Sequence, residues 1–183
     1  KRRNTLWMAV LSCLLLILAS CENQVVYEQY QAIDNTSWNK EKTYFFTFEV
    51  TDASVAYDIS FEVRNNNFYP YQNLWLFCSE EMPVGPLRRD TVEFLLADDY
   101  GKWYGQGFSL FHSSFSLKKR YKFPMEGQYT FGFRQGMRKD SLPGIQEIGL
   151  RLMVASDSRS FREASRRKKM KRRIVKPHKE EPP

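Results

Sequence analysis

Cys21 carries the most readable chemistry in the chain. It closes the run Leu18-Ala19-Ser20-Cys21, directly before the first acidic residue, Glu22. Lys1, Arg2 and Arg3 form a basic n-region, Leu6 to Leu18 an apolar h-region, and Ala19-Ser20 a small-residue exit, the build of a signal peptide. A helix of that h-region would be about 20 Å long, short of the roughly 30 Å hydrocarbon core, which argues against a permanent transmembrane helix. Leu-Ala-Ser-Cys also matches the bacterial lipobox, in which the thiol is acylated and cleavage leaves the cysteine as the new N-terminus. The plainer reading is an ordinary signal peptide with a chance cysteine. Two or three acyl chains on one residue satisfy the two-signal requirement for stable anchoring, so Cys21 is expected to be a lipid anchor. The missing initiator Met predicts that the sequence starts slightly inside its gene.

Other reactive side chains offer less. Cys13 leaves with the signal and Cys21 takes lipid, so Cys78 has no disulfide partner and reads as a small buried hydrophobe. His112 and His178 are the only histidines, too few and too far apart for a zinc site, and no nucleophile elbow accompanies His112 in Phe-His-Ser-Ser-Phe. Glu80-Glu81 and Asp98-Asp99 are paired acids, but a glycosidase needs two carboxyls facing each other across a substrate, and adjacent acids beside Pro or Gly mark solvated turns. GKWYGQG lacks the strand-to-helix context of a phosphate loop. The expectation is a non-enzyme with neither cofactor nor metal. Aromatics remain: Phe68, Tyr69, Tyr71, Trp75, Trp103 and Tyr104 could stack on sugar rings or form a protein contact, or could instead plug the ends of the fold.

The elements that must position these groups are strands. In KTYFFTFEVT, Tyr44, Phe46, Phe48 and Val50 alternate with Phe45, Thr47, Glu49 and Thr51. In YDISFEVR, Tyr57, Ile59, Phe61 and Val63 alternate with Asp58, Ser60, Glu62 and Arg64, whose face reads as solvated. NLWLFCS is apolar on both faces and so reads as central. DTVEFLLA points Val92, Phe94 and Leu96 inward, GQYTFGFRQ alternates Tyr129, Phe131 and Phe133, and EIGLRLMVA closes through Ile148, Leu150, Leu152 and Val154. GFSLFHSSFSLKKRYKF reads as one strand with an irregular middle, and MRKDSLPGIQ as a loop. Seven or eight short strands with turn signals every ten residues or so, and no long amphipathic helix, predict an all-β chain: a single antiparallel β-sandwich, immunoglobulin-like or jelly-roll-like. The expected organisation is a lipoprotein signal over 1–20, a lipidated tether leading into a first strand over 21–41, the sandwich over 42–157, and a basic tail over 158–183.

With 42% hydrophobic and 15% aromatic residues, the chain can bury a substantial core. Its charge is unevenly placed. Residues 22–158 hold 14 Lys/Arg against 18 Asp/Glu, a net of −4, whereas residues 159–183 hold 11 against 3, a net of +8. The tail has helix formers to about Arg173 but no apolar stripe, so it reads as frayed helix or disorder. On an exported protein SRRKKMKRR meets no nucleic acid. Anionic lipid, cell-wall polymer or an acidic partner are its available ligands, and simple solvation is the alternative.

Several longer stretches resemble the GldH-type gliding-motility lipoproteins of Bacteroidota. The resemblance rests on the lipobox cysteine followed by VVYEQY, Trp38, NNNFYPYQNLWLF, DTVEFLLA leading to GKWYGQG, and above all GQYTFGFRQGMRKDSLPGIQEIGLRL. It covers most of the mature domain but not the basic tail. It implies a non-enzymatic envelope lipoprotein associated with gliding motility and with the type IX secretion machinery, held in a protein complex. No catalytic residues come with it.

Two expectations hang on that assignment. Asp90-Thr91-Val92 and Asp140-Ser141-Leu142 look like the O-glycosylation signal of this phylum, making Thr91 and Ser141 candidate acceptors, a reading that intact-mass analysis showing bare hydroxyls would reject. Glu22 stands alone where surface-exported lipoproteins of the phylum carry several acids, which implies the periplasmic face, with the outer membrane favoured. A glycan-binding module of the envelope is the alternative function, since a sandwich alone does not decide between them.

Overall fold

The computed structural model describes residues 25–155. Cys21, the signal expected at 1–20 and the whole of the basic tail lie outside the described residues. Ten strands follow in order: β1 Val25–Ala32, β2 Ser37–Asn39, β3 Tyr44–Val50, β4 Ala56–Asn66, β5 Asn73–Glu81, β6 Arg88–Leu95, β7 Leu110–Lys122, β8 Gly127–Gln135, β9 Ser141–Pro143 and β10 Ile145–Val154. A 3-10 turn at Asp34–Thr36 is the only helical element among the described residues.

The period-two patterns become two antiparallel four-stranded sheets, ordered β1-β10-β4-β7 and β3-β8-β5-β6. Counting the eight longer strands in chain order, the sheets read 1-8-3-6 and 2-7-4-5. That order is the jelly-roll arrangement of the two alternatives, with consecutive strands repeatedly passing between sheets. β2 and β9 pair separately, with Trp38 opposite Leu142.

Alternation accounts for the core. Tyr44, Phe46, Phe48 and Val50 from β3 face Tyr57, Ile59, Phe61 and Val63 from β4, and all are buried, as are Tyr129, Phe131 and Phe133 of β8 and Ile148, Leu150, Leu152 and Val154 of β10. Rings fill the space between the sheets. Phe61 packs on Phe133 with centroids 4.9 Å apart and stacks on Phe94 at 5.5 Å, and Phe94 stacks on Phe115 at 4.5 Å. Pairs at such separations add about 0.5–1.5 kcal/mol each beyond the area they bury.

Two local expectations change, and a third holds with one addition. The segment expected to be a loop before β10 contains β9, whose pairing with β2 seals Trp38 completely from solvent and lets its Nε1 donate to the Lys42 carbonyl at 3.0 Å. β7 is one strand, and its irregularity sits near its end rather than its middle: Arg120 takes φ 50°, and the register opposite β4 shifts between Tyr57 and Ser60. β5 is central in its sheet, between β8 and β6, but only one of its faces is covered. Leu74 and Leu76 enter the core while Trp75 and Phe77 stay partly exposed.

The registers also fix the two ends of the sandwich. Val25 lies opposite Met153, and Tyr57 opposite Val154, so the first and last described residues share one end with the loops at 51–55, 82–87 and 123–126. The loops at 67–72 and 96–109 and the connections at 33–43 and 136–144, which carry β2 and β9, gather at the other end.

Candidate interaction surface

That second end holds the loop aromatics. Leu96 N–H and Ala97 N–H donate to the Gln72 carbonyl at 2.7 and 3.1 Å, tying the 96–109 loop to the 67–72 loop. Asp98 shapes the former: its Oδ1 accepts the Tyr100 and Lys102 amides at 2.9 Å each, and Gly101 at φ 80° completes the reversal. Asp98 is therefore occupied in building a turn.

Tyr69, Tyr71 and Trp103 come together there. Tyr69 is buried, with ring centroids 6.0 Å from Tyr71 and 6.3 Å from Trp103. Its hydroxyl donates to the Asn73 carbonyl at 2.6 Å, and burial, with a lesser contribution from Tyr71, pushes its pKa well up. Trp103 packs on Phe111 at 5.7 Å and donates its Nε1–H to Asn67 Oδ1 at 2.9 Å. Tyr69 is thus an end plug, while Tyr71 and Trp103 are half-buried. Above them Phe68, Tyr100 and Phe108 project at 80%, 96% and 95% exposure. These three include two residues, Tyr100 and Phe108, that the sequence reading did not count as contacts, although both sit in glycine-rich loop sequence where a large ring has nothing to pack on.

Two adjoining clefts mark this end. One of about 560 Å³ is lined by Tyr69, Tyr71, Asp98 and Trp103, and one of about 340 Å³ by Tyr71, Trp75, Met137 and Arg138. Tyr71 and Asn73 border both. Trp75 thereby joins the group from the outer face of the β3-β8-β5-β6 sheet. Tyr104 is exposed and lines neither cleft.

A larger cleft, about 770 Å³, lies on that outer sheet face between Phe45, Phe77, Leu87, Arg89 and Arg134. Gly132, opposite Phe45 in the ladder, makes it possible: a Cβ there would sit 2.9 Å from the Phe45 ring, so only glycine lets the ring lie across the sheet. Arg134 stands 5.2 Å from the Phe77 centroid. Thr91 lies exposed on β6 at the edge of this cleft, whereas the Ser141 hydroxyl is 2.6 Å from that of Ser37.

The remaining outer face holds a group that the sequence does not announce. Glu62 falls on the polar side of β4, yet it is fully buried. Across the sheet runs the row Tyr30, Gly149, Glu62, Ser114, and the bare Gly149 lets Tyr30 lie down beside the carboxylate; a Cβ there would be 2.7 Å from the ring. Oε1 accepts hydroxyls from Ser60 and Ser114, both at 2.7 Å, and Oε2 lies 2.9 Å from His112 Nε2. Arg64 covers the Tyr30 ring at 4.5 Å and pairs with Glu147 at 2.6 Å. Burial, then the charges of Glu62 and Glu28, raise the Tyr30 hydroxyl's pKa against a lowering by Arg151. The serine hydroxyls here serve the carboxylate and not the imidazole, which is a stabilising network's arrangement rather than a nucleophile's.

No group of three His, Cys, Asp or Glu among the described residues is placed to hold a metal ion. Cys78, half-buried on β5, has its thiol pushed up to about 12 by burial and then by Asp90, which suppresses thiolate chemistry.

The family model described as GldH lipoprotein matches residues 25–152, from the first residue of β1 to two residues short of the end of β10. The chain belongs to the GldH lipoprotein family. A "Gliding motility lipoprotein GldH homolog" from Christiangramia forsetii is 32% identical over 146 residues, covering 75% of this chain and 89% of the relative. The "Gliding motility lipoprotein GldH" of Flavobacterium johnsoniae is 30% identical over 145 residues, with the same coverage. A solved structure of infectious bursal disease virus, Gx strain, aligns with 73% of this chain and 32% of its own at 12% identity and a TM-score of 0.27, too slight a likeness to bear on fold or function. In GldH terms, the matched region includes the loop aromatics, the Phe45 cleft and the Glu62 network alike.

Proposed function

We propose that this GldH-family chain is a non-enzymatic lipoprotein of the cell envelope, anchored through acyl chains on Cys21. It works as a component of the gliding-motility apparatus and of the type IX secretion machinery linked with it. It faces the periplasm from the outer membrane, and its aromatic loop end meets a protein of that machinery.

The observation that carries this reading is the polarity of the sandwich. Val25 stands four residues beyond Cys21, and the aromatic loops lie at the far end of strands seven to nine residues long, such as β3, β5 and β8. At about 3.3 Å per residue, these hold Phe68, Tyr100 and Phe108 roughly 25 Å from the end at which the chain enters the fold. A lipid on Cys21 would therefore present the aromatic end away from the bilayer and confine it to a thin layer, raising its effective concentration at a neighbouring complex. The relatives' names support the motility role, and the family description supports the anchor.

The test is the amount of secreted cargo in the medium after deletion of the gene, with rescue by the wild-type chain and by a Cys21→Ala chain. Collapse of export with rescue by the acylatable form alone is the expected result. Full rescue by Cys21→Ala would refute the tether, and unchanged export on deletion would refute the secretion role and bring forward glycan binding, for which the Tyr71–Trp75 cleft is the available site.

A further inference from the structure

We infer that β6 is an interface strand. Its open edge pairs with β6 of a second copy of this chain, antiparallel about a two-fold axis at Thr91, and joins the two β3-β8-β5-β6 sheets into one of eight strands. Such pairing depends neither on the anchor nor on the motility role.

The ladder decides which β6 groups are open. Gly136 N–H donates to the Trp75 carbonyl at 2.7 Å, so Trp75, and with it Phe77 and Ser79, turn their backbone groups toward β8. Leu74, Leu76, Cys78 and Glu80 then bond Phe94, Val92, Asp90 and Arg88 of β6, and Leu96 N–H on the Gln72 carbonyl, also at 2.7 Å, keeps that parity. The amides and carbonyls of Arg89, Thr91, Glu93 and Leu95 therefore face away from the sheet. In the single chain Asp90 Oδ1 accepts the Thr91 N–H at 2.7 Å, standing where a further strand would place a carbonyl. The other edges are occupied. β1 and β3 close on each other, with Gln31 Nε2 donating to the Phe45 carbonyl at 2.6 Å and the Tyr27 and Phe48 rings 5.3 Å apart. β7 is bridged at its start by Gln106 and bent at Arg120.

The side chains along this edge are complementary to themselves. Every second residue on the outer sheet face reads Leu87, Arg89, Thr91, Glu93 and Leu95, all exposed, the two leucines at 48% and 52%. Turned end for end about Thr91, the series sets Arg89 opposite Glu93 twice, Leu87 opposite Leu95 twice, and Thr91 opposite Thr91. Opposite charges and Thr–Thr neighbours are favourable cross-strand pairs, and the leucines leave water together. Glu93 Oε1 accepts from Asn73 Nδ2 at 2.6 Å, which holds the carboxylate in place and leaves Oε2 for the arginine. The neighbouring registers lose the match, setting Leu87 against Glu93 or Arg89 against Leu95, so the pattern specifies one pairing.

The experiment uses the chain from residue 21 to 183 carrying Cys21→Ala, so that neither an acyl chain nor the apolar run before it drives association, in sedimentation velocity from about 1 to about 500 μM. A monomer–dimer equilibrium is expected across that range. Arg89→Glu and Glu93→Arg each set like charges opposite each other at both sites, and each is expected to weaken self-association at least about tenfold. Mixed in equal amounts, the two variants are expected to form a heterodimer about as tight as the wild-type dimer, and the chain carrying both substitutions to dimerise again, because both combinations restore the opposite-charge pairs. Thr91→Pro removes an N–H that lies outside the β5 ladder and is expected to abolish the dimer at unchanged urea midpoint. A chain that stays monomeric at about 500 μM overturns the inference, as does a dimer that survives Thr91→Pro, or single variants that fail to pair with each other. A native chain found O-glycosylated at Thr91 overturns it too, since two glycans cannot share the axis.

Discussion

Replacing Glu62 with alanine tests whether a carboxylate buried on an outer sheet face holds that face together. The side chain has no exposed surface, and its two oxygens take three contacts, from Ser60 and Ser114 at 2.7 Å and from His112 at 2.9 Å. Removing it strands two hydroxyls and an imidazole and leaves a gap under Tyr30. Hydrogen bonds to charged groups contribute about 1.5–3 kcal/mol each, but His112 is partly exposed and recovers water, so the expected total is about 3 kcal/mol rather than the full sum. With a urea m-value of about 2 kcal/mol/M, the unfolding midpoint should fall by about 1.5 M. Glu62→Gln keeps one acceptor oxygen and nearly the same volume, and should cost about half as much. The assay is equilibrium urea unfolding at pH 7 followed by tryptophan fluorescence. A Glu62→Ala midpoint within about 0.25 M of wild type, the response of an ordinary surface position, would refute the burial argument.

Two further outcomes follow from neighbouring geometry. Gly149→Ala should cost about 2 kcal/mol in the same assay because its Cβ meets the Tyr30 ring, and adding Tyr30→Ala should recover part of that loss; additive costs would show the two positions to be uncoupled. Cys78, raised from 9.0 to about 12, should alkylate at pH 8 about 1,000-fold more slowly in the folded chain than in urea, because its thiolate fraction falls by that factor. A group whose folded pKa lies above its unfolded value stabilises fully below the unfolded pKa, so this thiol leaves stability unchanged up to about pH 9 and lowers it as pH rises from there toward 12. A Cys78→Ala chain that loses stability over that alkaline range as steeply as wild type would contradict the assignment.

The strands and their inward faces were legible because alternation is a local property. Every core position read from β3, β4, β8 and β10 is buried, and Phe94 and Leu96 are too, with Val92 half-buried where β6 forms the sheet edge. What alternation leaves open is which strand lies beside which, and two misreadings come from that. Glu62 has the parity of a solvated residue, and only its distant neighbours, Tyr30 and Gly149, hide it; a glycine interrupting IGLRLMV is the one local hint. β5 is central, as its two apolar faces predict, but no second layer covers it among the described residues, so Trp75 and Phe77 are left partly open. β9 is three residues long and ends on proline, too short for any period, and it exists through pairing with β2 a hundred positions away. Of the aromatics singled out at the outset, Tyr69, Tyr71, Trp75 and Trp103 border adjoining clefts and Tyr104 stands apart, an arrangement set by loop packing rather than spacing.

The pairing of β1 with β10 bears on how the molecule is made. The first strand to emerge during synthesis has the last as its hydrogen-bonded partner, about 120 residues later, and β4 also waits for β10. Neither sheet can close until nearly the whole domain is present, so native structure is assembled late and slowly, as in other folds dominated by non-local pairing. Until then exposed strand edges are vulnerable to aggregation and available to chaperones. For a chain exported as proposed above, the same delay would keep it threadable for as long as threading takes.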